Sequence, residues 1–222
     1  VTDHSNIEAV PTVKHGNDLA HTIGLGGMGL HTLFAINQME YGSPESVELT
    51  EAYFYALNYY TLVASNKIAK ERGKSFDNFE NSKYATGEYF DAYIQAPFQV
   101  AIMSKVALPT ADDWRALKEA VAAHGLYHQN RLAIAPTGSI SYVNETSASL
   151  HPITRLIEER QEKKTGKTYY PAPMLSNETL PYYKSAYDTD MRKVIDVYAA
   201  AQKHIDQGMS LTLFMRSELP EG

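Results

Sequence analysis

The chain contains no cysteine. Disulfides, thiolate metal sites and thiol nucleophiles are therefore excluded within it, whatever chemistry its other residues support. Basic charge is also scarce: 20 Lys and Arg stand against 26 Asp and Glu, for a net charge of −6. Neither a nucleic-acid backbone nor an anionic membrane finds the clustered cations it needs, so no partner of either kind is expected. No apolar run approaches the roughly 18 residues of a membrane span, and residues 1–20 lack the basic start, apolar middle and small-residue site of a secretion signal. These absences predict a cytoplasmic protein. Internal repeats and low-complexity segments are missing as well. The two N-x-S/T sequons, at Asn144 and Asn177, are what chance supplies at this length.

What is present is a chain of 222 residues, 44% hydrophobic, enough to bury a core as one domain or as one piece of a larger one. The expectation is a single segment over residues 1–222. The chain opens on Val1 without Met and stops at Leu219-Pro220-Glu221-Gly222, just after a strand-like pattern. Both ends are expected to be cuts within a longer polypeptide.

Ser43-Pro44-Glu45 supplies a capping hydroxyl, a proline at the first helical position and an acid near the positive end of the dipole. An apolar stripe from Val47 to Ile68 follows and Gly73 closes it, which predicts one helix over about 44–72. Thr110 and Asp113 form a variant capping box ahead of Trp114, Leu117 and Val121, predicting a helix over about 111–124. Arg131-Leu132-Ala133-Ile134-Ala135 reads as a buried strand stopped by Pro136. Lys163 to Lys167 reads as an exposed hairpin or loop, Asp190 as the cap of a helix reaching to Gly208, and Met209 to Met215 as an alternating strand. Helix then strand, repeated, argues for an α/β architecture with parallel strands.

Two segments bear on chemistry. Gly24-Leu25-Gly26-Gly27-Met28-Gly29 has the G-x-G-x-x-G spacing of a dinucleotide turn, but the apolar lead-in is short and the acid expected about 20 residues on is replaced by helix. A glycine-rich entry to a closely packed helix is the favoured reading. In Pro136-Thr137-Gly138-Ser139-Ile140-Ser141, three hydroxyls and the amides around Gly138 could surround a phosphate at a helix start. The same hydroxyls could equally cap that helix, and spacing alone leaves both readings open. His124 and His128 are separated by Gly125 and lack a third ligand, so no metal is expected. The pairs Tyr59-Tyr60, Tyr169-Tyr170 and Tyr182-Tyr183 are read as packing residues.

The stretch Arg131 to Pro152, RLAIAPTGSISYVNETSASLHP, closely resembles the large subunit of class Ib ribonucleoside-diphosphate reductases. Residues Ile23–His31, Tyr169–Pro173 and His204–Phe214 resemble the same family in the same order, so the likeness covers nearly the whole chain. It implies a ten-stranded α/β barrel of which this chain is much of the second half. It assigns substrate diphosphate binding to Thr137, Gly138, Ser139, Ile140 and Ser141, tipping the balance left open above, and it sets the nicotinamide reading aside. The implied activity is removal of the ribose 2′-hydroxyl from a ribonucleoside diphosphate by thiyl-radical chemistry.

The same resemblance implies a homodimeric full subunit with an allosteric nucleotide site in earlier sequence. Its radical comes from a small partner subunit with a dimetal-tyrosyl centre, and its electrons come from a redoxin-type dithiol. No cofactor is expected in this segment. The family's radical cysteine, its Asn and Glu partners and its reducing cysteine pair have no counterpart here. Its radical-transfer tyrosines and C-terminal redox cysteines would come later in sequence, so Tyr169 and Tyr170 are not those tyrosines. The implied share of this segment is binding and orientation.

Overall fold

The computed structural model describes residues 7–100, 107–162 and 166–216. In chain order the elements are α1 (Pro11–Ala20), α2 (Leu30–Ile36), α3 (Pro44–Arg72), α4 (Glu88–Gln95), α5 (Ala111–His124), α6 (Ile140–Val143), β1 (Ile157–Glu162), β2 (Gly166–Pro171) and α7 (Met191–Gln202). The long helix and the capped helix fall where their signals place them. Thr110 accepts from the Asp113 amide at 3.3 Å while the Asp113 carboxylate takes the Thr110 amide at 2.8 Å, and Gly125 (φ 74°) ends α5.

The strand expectations need correction. Among the described residues the only strands are β1 and β2, paired antiparallel from Ile157↔Pro171 to Glu162↔Gly166. The Arg131–Ala135 segment contributes one isolated parallel bridge, Leu25 to Leu132, and residues 208–216 form no strand. Extended backbone becomes sheet only when a neighbour supplies a ladder of hydrogen bonds, and beyond that bridge these segments find none among the described residues. The last helix stops at Gln202 rather than running to Gly208. Of the hairpin-or-loop segment Lys163–Lys167, residues 163–165 lie outside the described residues, and Gly166 and Lys167 begin β2.

The chain divides into two compact units. The first gathers residues up to Leu25, Ala52–Ala133 and His204–Gln207. Its core is Tyr55, Leu62, Phe76, Phe90, Trp114, Leu117, Val121 and Leu126. Trp114 donates to the Tyr55 hydroxyl at 2.6 Å, and Tyr55 donates to the Pro109 carbonyl at 3.0 Å, so each buried polar tip is satisfied. Tyr59 packs edge-on to Trp114 at 5.0 Å.

Within the same unit Arg131, which the sequence pattern places in an apolar strand, is fully buried. Its guanidinium lies 2.9 Å from the Asp206 carboxylate. That carboxylate also accepts the backbone amides of Arg131 at 2.9 Å and Leu132 at 3.0 Å. Tyr84 accepts from Arg131 at 3.1 Å, and Asn58 bridges Tyr89 and Tyr93 through bonds of 3.0 Å each. Burial pushes the Tyr84 phenol up to about 12 and raises that of Tyr93 further, so both stay protonated.

The second unit gathers Gly26–Glu51, Ile134–Lys203 and the residues from Gly208 onward. Its α2 buries Leu30, His31, Thr32, Phe34 and Ala35. His31 sits between Tyr41 and Tyr183, ring centroids 5.3 and 5.0 Å away. Its Nδ1 accepts the Ile153 amide at 2.9 Å and its Nε2 reaches the Tyr182 carbonyl at 3.1 Å. That pairing fixes the proton on Nε2. Burial holds the imidazole down to about 4, so it is neutral.

Candidate functional site

The residues singled out in sequence, Thr137 to Ser141, form one continuous turn in the second unit, leading into the single-turn helix α6. Thr137 holds φ 45°, an unfavourable value for a β-branched residue. Its side chain is the brace: Thr137 Oγ1 accepts the Ser149 amide at 2.7 Å, and its carbonyl accepts the Ser141 amide at 3.1 Å. Ser141 is buried and donates to the Gly138 carbonyl at 3.2 Å.

The alternative in which these hydroxyls cap the helix fails on geometry. Ser139 stands at the N-cap with φ −89° and ψ −42° and makes no side-chain cap bond. Its hydroxyl, and the amides of Gly138, Ser139 and Ile140, meet no partner among the described residues. Gly138, Ser139 and Ile140 are exposed, so these donors face solvent rather than protein. The helix they lead into is four residues long, too short for a developed dipole. What the turn offers an anion is its three amides and a hydroxyl.

A cleft of about 580 Å³ opens in the same unit. Of the predicted residues only Ser141 lines it; Thr137, Gly138, Ser139 and Ile140 do not. Its polar wall includes Tyr142, Thr154, Arg155 and Glu158, none of which sequence reasoning singled out. Tyr142 donates to the Glu158 carboxylate, whose other oxygen accepts from Thr154 at 2.8 Å. Burial first, and the adjoining Glu158 carboxylate next, push the Tyr142 phenol up to about 12. The available sequence signal was the one-residue alternation of Glu158 and Arg160 on β1, but nothing in sequence says which side chain that face meets.

The glycine-rich segment is a packing device. Leu25 pairs with Leu132 in the first unit. A Cβ at Gly24 would lie 3.1 Å from that of Ala133. In the second unit Gly29 has φ 82°, and a Cβ there would fall 2.1 Å from Thr146 Oγ1. Both close approaches are ones that only a residue without a Cβ permits, as expected of a glycine-rich entry to a packed helix. Among the described residues no cluster of three His, Asp or Glu side chains could hold a metal ion, and no helix is long and apolar enough to cross a membrane.

Residues 1–221 match the family described as ribonucleotide reductase, barrel domain. The chain belongs to that family. Over 99% of its length it is 45% identical to the ribonucleoside-diphosphate reductase subunit alpha of Bacillus subtilis (strain 168), covering 32% of that protein. It is 42% identical over 95% of its length to the subunit alpha of Mycoplasma pneumoniae, covering 31% of it. The NrdEB subunit alpha of Bacillus subtilis is 44% identical over 99% of the chain. The family read from Arg131–Pro152 is thus the one the whole chain matches, and this barrel-domain chain spans about a third of the length of the subunit alpha proteins of Bacillus subtilis and Mycoplasma pneumoniae.

Proposed function

We propose that this chain is the diphosphate-binding part of a ribonucleoside-diphosphate reductase alpha subunit, within the second half of a ten-stranded α/β barrel. The observation that carries the reading is the Thr137–Ser141 turn. A strained residue is braced by Thr137 Oγ1, while three amides and the Ser139 hydroxyl are left open together. Backbone strain retained beside unused donors is the mark of a site shaped for a ligand, and a diphosphate is the ligand that uses several such donors at once. Cysteine is absent from the chain. The share of catalysis open to these residues is therefore to anchor the phosphates and set the ribose for chemistry performed by other groups.

On this reading the substrate is a ribonucleoside diphosphate that loses its 2′-hydroxyl. The radical comes from a small subunit with a dimetal-tyrosyl centre and the reducing electrons from a redoxin dithiol, and the full subunit acts as a homodimer. The test is Ser139→Ala in the complete subunit. Loss of a hydrogen bond to a charged group costs about 1.5–3 kcal/mol, so KM for the diphosphate should rise by roughly 10- to 100-fold. An unchanged affinity refutes the assignment.

A further inference from the structure

The turn read above as the diphosphate site leads into a helix that cannot hold itself in place. A single helical turn fixes several dihedrals for one hydrogen bond and is unstable alone, and α6 has no side-chain cap. Its second flank is tied by the Ser141 carbonyl, which accepts the Thr146 amide at 3.0 Å. Its first flank is braced by the Thr137–Ser149 bond, and the hairpin adds a further restraint at Tyr142.

We propose that the β1–β2 hairpin clamps the diphosphate turn through Tyr142, which makes Tyr142, Glu158 and Arg160 positioning residues for the substrate's phosphates. The inference rests on the reading of the Thr137–Ser141 turn given above. Tyr142 lies three residues after Ser139, on α6. Side chains two apart on a strand share a face, so Glu158 and Arg160 point the same way. Tyr170 stands directly opposite Glu158 in the register and shares that face.

All three converge on one ring. The Tyr142 hydroxyl donates to Glu158 Oε2, the Arg160 guanidinium lies 4.0 Å above the Tyr142 ring, and the Tyr170 ring meets it edge-on at 4.8 Å. Thr154 donates to Glu158 Oε1 at 2.8 Å and holds the carboxylate in place. The second face of β1 has a separate partner, since Glu159 pairs with Lys167 at 2.6 Å. The contact of Arg160 with Glu158 is long at 3.9 Å, between side chains 45% and 32% exposed, and contributes little by itself. The grip is the phenol–carboxylate bond together with the cation over the ring. None of these groups needs to touch the substrate.

The experiment uses the complete alpha subunit assayed as a reductase with its radical-supplying partner. The variants are Tyr142→Phe, Glu158→Ala and Ser139→Ala, each with its thermal midpoint recorded. Tyr142→Phe keeps the ring beneath Arg160 and removes only the hydroxyl. One lost hydrogen bond corresponds to a rise in KM of about fivefold. In Tyr142→Phe and Glu158→Ala, KM and the dissociation constant for a ribonucleoside diphosphate should rise by that factor, with kcat within about twofold. Binding of the corresponding nucleoside, which has no phosphates to place, should be unaffected.

If diphosphate affinity falls in Ser139→Ala but not in Tyr142→Phe or Glu158→Ala, the clamp is refuted and the turn assignment survives. If Ser139→Ala also leaves affinity unchanged, the turn assignment fails and the clamp falls with it. If nucleoside and diphosphate affinities drop together along with the thermal midpoint, the hairpin is a general structural support and the positioning role is overturned.

Discussion

Removing the Asp206 carboxylate should cost far more than removing an ordinary charge. Asp206 is 9% exposed at its side chain and Arg131 0%, so Asp206→Ala strands a guanidinium in the interior together with the amides of Arg131 and Leu132. Breaking a buried pair from one side costs about 3–5 kcal/mol, and an orphaned buried amide costs about 1–3 kcal/mol. These losses overlap because all three donors share one acceptor, so the expected total is about 4–6 kcal/mol. A domain stable by roughly 5–15 kcal/mol can be brought near unfolding by such a change.

The reverse substitution is milder. Arg131→Met leaves a carboxylate that still accepts two amides, so about 2 kcal/mol is expected. In Asp206→Ala/Arg131→Met no buried cation remains, and the double variant should be more stable than Asp206→Ala alone by at least about 1 kcal/mol. The assay is urea unfolding followed by Trp114, the only tryptophan in the chain. It stacks on Tyr93 at 4.2 Å, and Tyr93 bonds Asn58 beside Arg131. Its emission therefore reports the unit that holds the pair. Additive single effects, or an Asp206→Ala variant within about 1 kcal/mol of the parent, would show that the pair is not the uncompensated-charge trap described here.

Two further outcomes are expected. His31 is held neutral with a pKa of about 4 against an ordinary 6.5, so the unfolded state takes up its proton first. Its contribution is fully present above pH 6.5 and is lost as pH falls toward 4, by on the order of 3 kcal/mol; stability profiles of the parent and of His31→Asn should converge across that window, and parallel profiles would contradict the assignment. Gly29→Ala forces a Cβ to 2.1 Å from Thr146 Oγ1 at φ 82°, for a loss of about 2–4 kcal/mol in thermal unfolding. A Thr146→Ala background should restore only the steric share, because the backbone strain remains.

Legibility followed the range of the interactions. The α3 and α5 boundaries rest on caps and stops within a few residues of each end, and such signals lie on the surface of the sequence. The Thr137–Ser141 turn was visible as a run of hydroxyls and glycine, yet that Thr137 Oγ1 accepts the Ser149 amide instead of capping the helix was not legible locally. The strands of 131–135 and 209–215 were misjudged because alternation records a tendency to extend, while a sheet requires a partner elsewhere in the chain. Arg131 with Asp206, and Tyr142 with Glu158 and Arg160, were unreadable for the same reason. In the first case the partner is 75 residues away. In the second, the face that Tyr142 meets depends on strand register.

The first unit is discontinuous in sequence, and that has a consequence in time. Arg131 is synthesised 75 residues before Asp206, an interval of roughly 4–15 s at ribosomal rates of about 5–20 residues per second. Until His204–Gln207 emerges, the guanidinium of Arg131 and the amides of Arg131 and Leu132 lack their shared carboxylate, so this cluster is completed late. The intervening 70 residues of the second unit, Ile134–Lys203, are made first. The unit that is begun first therefore receives its last buried ion pair from sequence made after most of the second.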